Sequence, residues 1–158
     1  MNIKIRRYED QDKPQVIKLI NSILKNEYDL AKETYSNFDI HNINEVYGGK
    51  RDLFLVAVVG NSVVGTIAVK EDDRNSALLR RIFVSSEFRG IGLGKKLILE
   101  AIQFCEEKKF RIINFCSTDK MEAANNLCKK NGFSRRACMS LGPVKLLKFT
   151  RKLRSNSR

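Results

Sequence analysis

Residues 84–98 read Val-Ser-Ser-Glu-Phe-Arg-Gly-Ile-Gly-Leu-Gly-Lys-Lys-Leu-Ile, so Gly90, Gly92 and Gly94 alternate between Arg89 and Lys95. Glycine costs backbone entropy, and a cluster of it marks a turn, a hinge or a backbone that something must approach closely. An apolar run precedes the cluster and a helical pattern follows it, which predicts a strand handing over to a helix. There the first N–H groups of the helix lack intrahelical partners, and the macrodipole adds partial positive charge. Without Cβ atoms at these positions a phosphate can reach such donors, with Arg89 and Lys95 supplying full charges. A plain turn would also use these glycines. The Gly-x4-Gly-Lys-Ser/Thr spacing of nucleotide hydrolases is missing, and so is the Gly-x-Gly-x-x-Gly of dinucleotide folds.

Other chemistry is sparse. The four cysteines, at 105, 116, 128 and 138, form no Cys-x-x-Cys pair, and His41 is the single histidine, so no zinc spacing exists and no metal is expected. Cys105 and Cys116 lie in apolar runs, which predicts buried free thiols, a reducing compartment and a cytoplasmic protein. No stretch reaches the roughly 18 apolar residues of a membrane span, and the N-terminus has no signal-peptide core. The net charge of +12, from 30 basic and 18 acidic residues, attracts anions of any kind. Five of the positive charges fall in the last eleven residues, a basic tail from about 152 to 158 that serves solubility or RNA contact equally well.

The elements that must position the loop can be read in order. Residues 2–8 alternate as a strand, and Asp12 and Pro14 open a helix running to about residue 25. Residues 29–47 suggest one or two short helices with Tyr35, Phe38, Ile40, Ile43 and Tyr47 as apolar contacts. Residues 53–59 and 62–69 form a hairpin about Gly60-Asn61, and residues 77–84 a fourth strand. A helix follows from Gly92 to about Lys109, then a strand over 111–116, a helix over 121–131, and a final hairpin over 134–140 and 144–152. This is a mixed α/β fold in a single domain spanning 1–158.

The block Leu79–Leu97 resembles the acetyl-coenzyme-A motif of the GCN5-related N-acetyltransferases, Arg/Gln-x-x-Gly-x-Gly/Ala, matched by Arg89, Gly92 and Gly94. Ala124-Asn125-Asn126-Leu127-Cys128-Lys129-Lys130-Asn131-Gly132-Phe133 is similar to the same family's Ala-x-x-Leu-Tyr-x-Lys-x-Gly-Phe. The resemblance implies a largely antiparallel central sheet whose fourth and fifth strands splay apart, flanked by helices. It implies acetyl-coenzyme A as cosubstrate, its pantetheine arm bonded by main-chain groups of Phe83 and Val84 and by Asn125. The pyrophosphate would rest on Arg89, Gly90, Ile91, Gly92, Gly94 and Lys95, and Lys95, Lys96, Lys129 and Lys130 stand near for the 3′-phosphate or are simply solvated. Acetyl would pass directly to an amine of a small molecule or protein, with a backbone N–H near Phe83 or Val84 stabilising the oxyanion. A homodimer fits the family.

Two departures matter. The family tyrosine that often protonates the leaving thiolate is replaced by Cys128, either a weak proton donor or a packing residue. Where histone-acetylating relatives carry a glutamate stands Leu78, followed by Arg80 and Arg81. Strand alternation puts these arginines on opposite faces, so one could face the acceptor and favour a carboxylate or phosphate on it. Equally, each could pair with Glu71, Asp72 or Asp73. Glu33, Asp39 and His41 are the candidate bases, and Tyr35 and Tyr47 could line the pocket or belong to the core. The alternatives are a non-catalytic acetyl-coenzyme-A-binding regulatory module and a basic RNA- or ribosome-associated protein. The chain has no aromatic interleaving or RNA motif, which argues against nucleic acid.

Overall fold

The computed structural model describes residues 2–27 and 37–154; Glu33, Tyr35 and the end of the basic tail lie outside them. Alternating and continuous apolar runs give seven strands: β1 Lys4–Arg7, β2 Leu53–Val59, β3 Ser62–Glu71, β4 Ser76–Val84, β5 Ile112–Thr118, β6 Ser134–Leu141 and β7 Val144–Lys152. They form one sheet in the order β1-β2-β3-β4-β5-β7-β6. Every neighbouring pair is antiparallel except β4 and β5. The helices are α1 Lys13–Asn26, α2 Phe38–His41, α3 Ile43–Val46, α4 Leu93–Glu107 and α5 Glu122–Lys130. This is the mixed α/β architecture expected.

β2 and β3 are buried almost from end to end, so both faces of the sheet's centre are covered. Amphipathic spacing supplies the cover. Val16, Ile20, Ile23 and Leu24 of α1 and Leu97, Ile98, Ala101, Ile102 and Cys105 of α4 turn inward. Asp12, expected as a helix cap, accepts instead from the Glu9 N–H at 2.8 Å and pairs with Arg6 at 2.8 Å. Cys105 is buried, but Cys116 is exposed on β5, which corrects the expectation that both thiols are buried.

The parallel pairing of β4 with β5 covers only Ser76–Leu78 against Ile112–Asn114. Beyond it the strands part, as the resemblance implied. β5 is held in place from its other side, paired with β7 over its whole length and with Phe115 stacked on Phe149 at 6.3 Å. Phe149 is fully buried. Phe149→Ala should therefore cost about 3–5 kcal/mol of folding stability, read from a urea unfolding curve.

Candidate active site

Past Leu78, where its pairing with β5 ends, β4 is broken. Thr66 of β3 faces Phe83, and Ala68 faces Arg80, so two residues of β4 oppose Ile67 alone. That is a β-bulge, and Arg81 within it takes a left-handed conformation at φ 54°. The bulge explains why Arg80 and Arg81 do not fall on opposite faces as simple alternation predicts. Both reach Asp39 of α2. Arg81 is 1% exposed, and its Nε and Nη2 donate to the two carboxylate oxygens at 2.9 and 2.5 Å. The Tyr47 hydroxyl donates to Asp39 Oδ2 at 2.6 Å, while Arg80 Nη2 stands 3.8 Å from the same oxygen. Thr66 Oγ1 donates to the Arg81 carbonyl at 2.8 Å and pins the bulge to β3. Glu71, an expected partner for these arginines, is held by Arg51 at 2.6 Å.

Burial would raise the Asp39 carboxyl, but hydrogen bonds and charge from Arg81, with the Tyr47 hydroxyl and Arg80, hold it below the usual carboxylate range. A carboxylate so held takes no proton at neutral pH, so Asp39 is an anchor and not a base. Burial and Asp39 push the Tyr47 phenol up, and Tyr47 belongs to the core. His41 is exposed at the end of α2 and lines neither cleft described below.

Two clefts lie along the edge of β4 that β5 leaves. The first, about 430 Å³, is lined by Ile82 and Val84, by Arg89, Gly90, Gly92, Gly94 and Lys95, and by one face of α5. Gly90 and Gly92 have φ of 76° and 83°, a backbone that L side chains rarely adopt, and a Cβ on either would meet nothing within 4 Å. Gly94 serves packing instead: its Cβ would stand 3.2 Å from Leu127 of α5. Gly92 is the N-cap of α4, so the opening N–H groups of that helix stand at the cleft. Arg89 Nε donates to the Val84 carbonyl at 3.0 Å, and its Nη1 pairs with Glu27. Lys130 lines the cleft with Lys95, whereas Lys96 and Lys129 do not. A cationic cradle at a helix N-terminus, open where a Cβ would be, fits a polyphosphate group.

Ala123, Asn126, Leu127 and Lys130 recur at helical spacing and turn to this cleft. The adjacent face of α5, with Ala124, Asn125 and Cys128, is buried. Two expected site residues sit on that buried face. Asn125 donates to the Thr118 carbonyl at 2.9 Å and accepts from Ser117 Oγ at 2.5 Å, tying α5 to the end of β5 instead of reaching into the cleft. Cys128 is fully buried and lines neither cleft, and burial pushes its thiol up to about 12, which suits a packing residue and not a proton donor. Ile91 is 54% exposed at the rim, outside the cleft lining. Phe83 is buried in β4 opposite Thr66.

The second cleft, about 490 Å³, is lined by Leu78, Leu79 and Arg80 of β4, Cys116, Ser117 and Thr118 of β5, Met121, and the turn of the β6–β7 hairpin. Apart from Arg80, and Leu78 at the place of the family glutamate, none of its lining residues was singled out in the sequence. They come from four separate segments whose convergence no local pattern announces. Among the described residues neither Asp, Glu nor His lines it.

The sequence model of the acetyltransferase (GNAT) family matches residues 17–133. A crystal structure described as an acetyltransferase of the GNAT family from Staphylococcus aureus Mu50 superposes with a TM-score of 0.86 at 27% identity, covering 97% of this chain and 100% of that one. The N-acetylaspartate synthetase of Danio rerio is 36% identical over 83 residues, 52% of this chain and 29% of that protein. The probable N-acetyltransferase camello of Xenopus tropicalis is 31% identical over 84 residues, 52% of this chain and 38% of that protein. The chain thus spans less than half the length of these curated relatives.

Asp39→Asn leaves the buried Arg81 guanidinium without a carboxylate and should cost about 3–5 kcal/mol at neutral pH. Because the folded pKa of Asp39 is depressed, its stabilisation is present above the unfolded value of about 3.9 and fades as pH falls through the lower folded value. Urea midpoints of parent and variant should therefore converge below about pH 4.

Proposed function

The chain belongs to the GNAT acetyltransferase family, and from that membership we propose that it is an acetyl-coenzyme-A-dependent N-acetyltransferase acting on an amine. The observation that carries the reading is the pair of clefts along one strand, a cationic glycine cradle beside Ile82 and Val84 and an apolar cleft beside Leu78–Arg80. The curated relatives named for N-acetyl transfer support it.

In this reading the N–H groups opening α4, with Arg89, Lys95 and Lys130, take the pyrophosphate and adenosine phosphate, with Gly90 and Gly92 shaping the cradle and Gly94 seating α5 beside it. Main-chain groups of Phe83 and Val84 receive the pantetheine arm. The Val84 carbonyl already accepts one bond from Arg89 and keeps its second lone pair for a ligand donor. When bound, the thioester supplies acetyl: the neutral amine's lone pair forms the C–N bond, the C–S bond breaks, and the sulfur keeps its electron pair. Among the described residues no acid or histidine lines the second cleft, so there the amine gives its proton to water, which returns one to the thiolate. The chain's part is to align the two reactants and keep the splayed strands from closing. Arg80 at the second cleft favours an acceptor that carries an anionic group.

We read residues 1–158 as one such domain. Among the described residues no helix is long and apolar enough to cross a membrane, and all four cysteines are free, which supports a reducing, cytoplasmic setting. The edge strand β6, exposed throughout with Met139 outward, supports pairing of a second copy along that edge.

Gly92→Val places a β-branched residue at φ 83° in the cradle and should weaken acetyl-coenzyme A at least about tenfold in calorimetric titration. Undiminished affinity would remove the cradle from the account. Cys128→Ala, by contrast, should leave the shape of the pH–turnover profile as it is, because a fully buried thiol pushed up to about 12 exchanges no proton in the working range. A lost limb in that profile would restore a chemical role to Cys128.

A further inference from the structure

The walls of the second cleft are mostly aliphatic: Leu78 and Leu79 on one side, Leu141, Val144 and Leu146 on the other, and Met121 beside them, with Cys116, Ser117 and Thr118 of β5 as its one polar stretch. Among the described residues its lining carries one charge, Arg80, with no lysine, second arginine or carboxylate. The Arg80 side chain is about one third exposed, and its contact with Asp39 spans 3.8 Å, beyond hydrogen-bond length. Asp39 meanwhile already accepts from Arg81 Nε, Arg81 Nη2 and the Tyr47 hydroxyl, so its oxygens are well occupied at shorter range. Arg80 is thus placed by Asp39 without being consumed by it, and its fork of donors faces an apolar cleft.

That combination selects a ligand. A planar guanidinium matches a carboxylate through two parallel N–H···O bonds, and the match strengthens where apolar walls exclude water. A phosphate dianion would want a second cation, which this cleft does not offer. The walls in turn take a side chain of leucine or phenylalanine size, and a carboxylate there would lose its water for little, since Ser117 Oγ already donates to Asn125 and Thr118 Oγ1 already accepts from the Lys120 N–H. We infer that the acceptor is a free α-amino acid with an apolar side chain, its carboxylate read by Arg80 and its amine turned toward the parting of β4 and β5. The inference rests on the acetyltransferase reading and deepens it by naming the substrate class.

Thiol release from acetyl-coenzyme A tests it with L-phenylalanine, L-phenylalanine amide, phenethylamine and L-glutamate as acceptors. The parent should use phenylalanine with a KM at least about tenfold below that of the amide or phenethylamine, and should use glutamate poorly. In Arg80→Met the KM for phenylalanine should rise about tenfold or more with a smaller change in kcat, bringing the acid-to-amide ratio close to one. Arg80→Lys should recover part of the ratio. Equal use of acid and amide by the parent, a comparison that needs no variant to fold, would overturn the inference, as would an Arg80→Met effect equal on both. Release only with amines that lack a carboxylate would overturn it while leaving the acetyltransferase reading intact. Binding of acetyl-coenzyme A with no release to any amine would remove that reading itself, and the inference with it.

Discussion

A fully buried guanidinium holds this structure in its working shape. An arginine taken out of water is very costly unless its charge is matched and its donors are bonded. Arg81 meets that demand only if α2 brings Asp39 across to β4, with Tyr47 supporting the carboxylate from the other side. The requirement fixes three things together: the seat of the short helices, the left-handed turn at Arg81, and the register shift between β3 and β4. Asp39 also draws Arg80 to the border of the second cleft. A hydrophobic residue at 81 could be accommodated more cheaply, but it would not tie these elements to one point.

The rest follows from a strand that cannot stay regular. β4 is paired to β3 along its length, yet its partnership with β5 ends at Leu78. β5 does not collapse onto it, because β7 and the Phe115–Phe149 stack hold it from the far side, and Asn125 binds its end to α5. A sheet normally avoids leaving main-chain groups of a central strand without strand partners. Here such an edge lies between a cationic helix N-terminus and an apolar cleft, where a ligand can supply what a neighbouring strand would.

Sequence alone revealed the local parts of this arrangement. The glycine cluster, the apolar stripe of α4 and the Gly60-Asn61 hairpin are patterns in neighbouring residues, set by backbone geometry and helical or strand periodicity. Arg81 with Asp39 was not legible, because the partners are 42 residues apart and the bulge overturns the alternation that assigned faces to Arg80 and Arg81. Which face Asn125 and Cys128 take was not legible for a smaller reason. Each step along a helix turns about 100°, so the cleft stripe through Ala123 and Leu127 sends the next residues, Ala124 and Cys128, into the core. Gly94 was located correctly but for another cause, since its missing Cβ makes room for Leu127 and not for a phosphate.

In the proposed function the edge of β4 and the opening of α4 together receive acetyl-coenzyme A. Amide hydrogen exchange of the unaltered protein, with and without acetyl-coenzyme A, tests it most directly. The account predicts slowed exchange concentrated in residues 79–84 and 89–96, with the outer strands β1 and β6 unaffected. Binding that leaves both of those segments unprotected, or that protects a different surface, would contradict it.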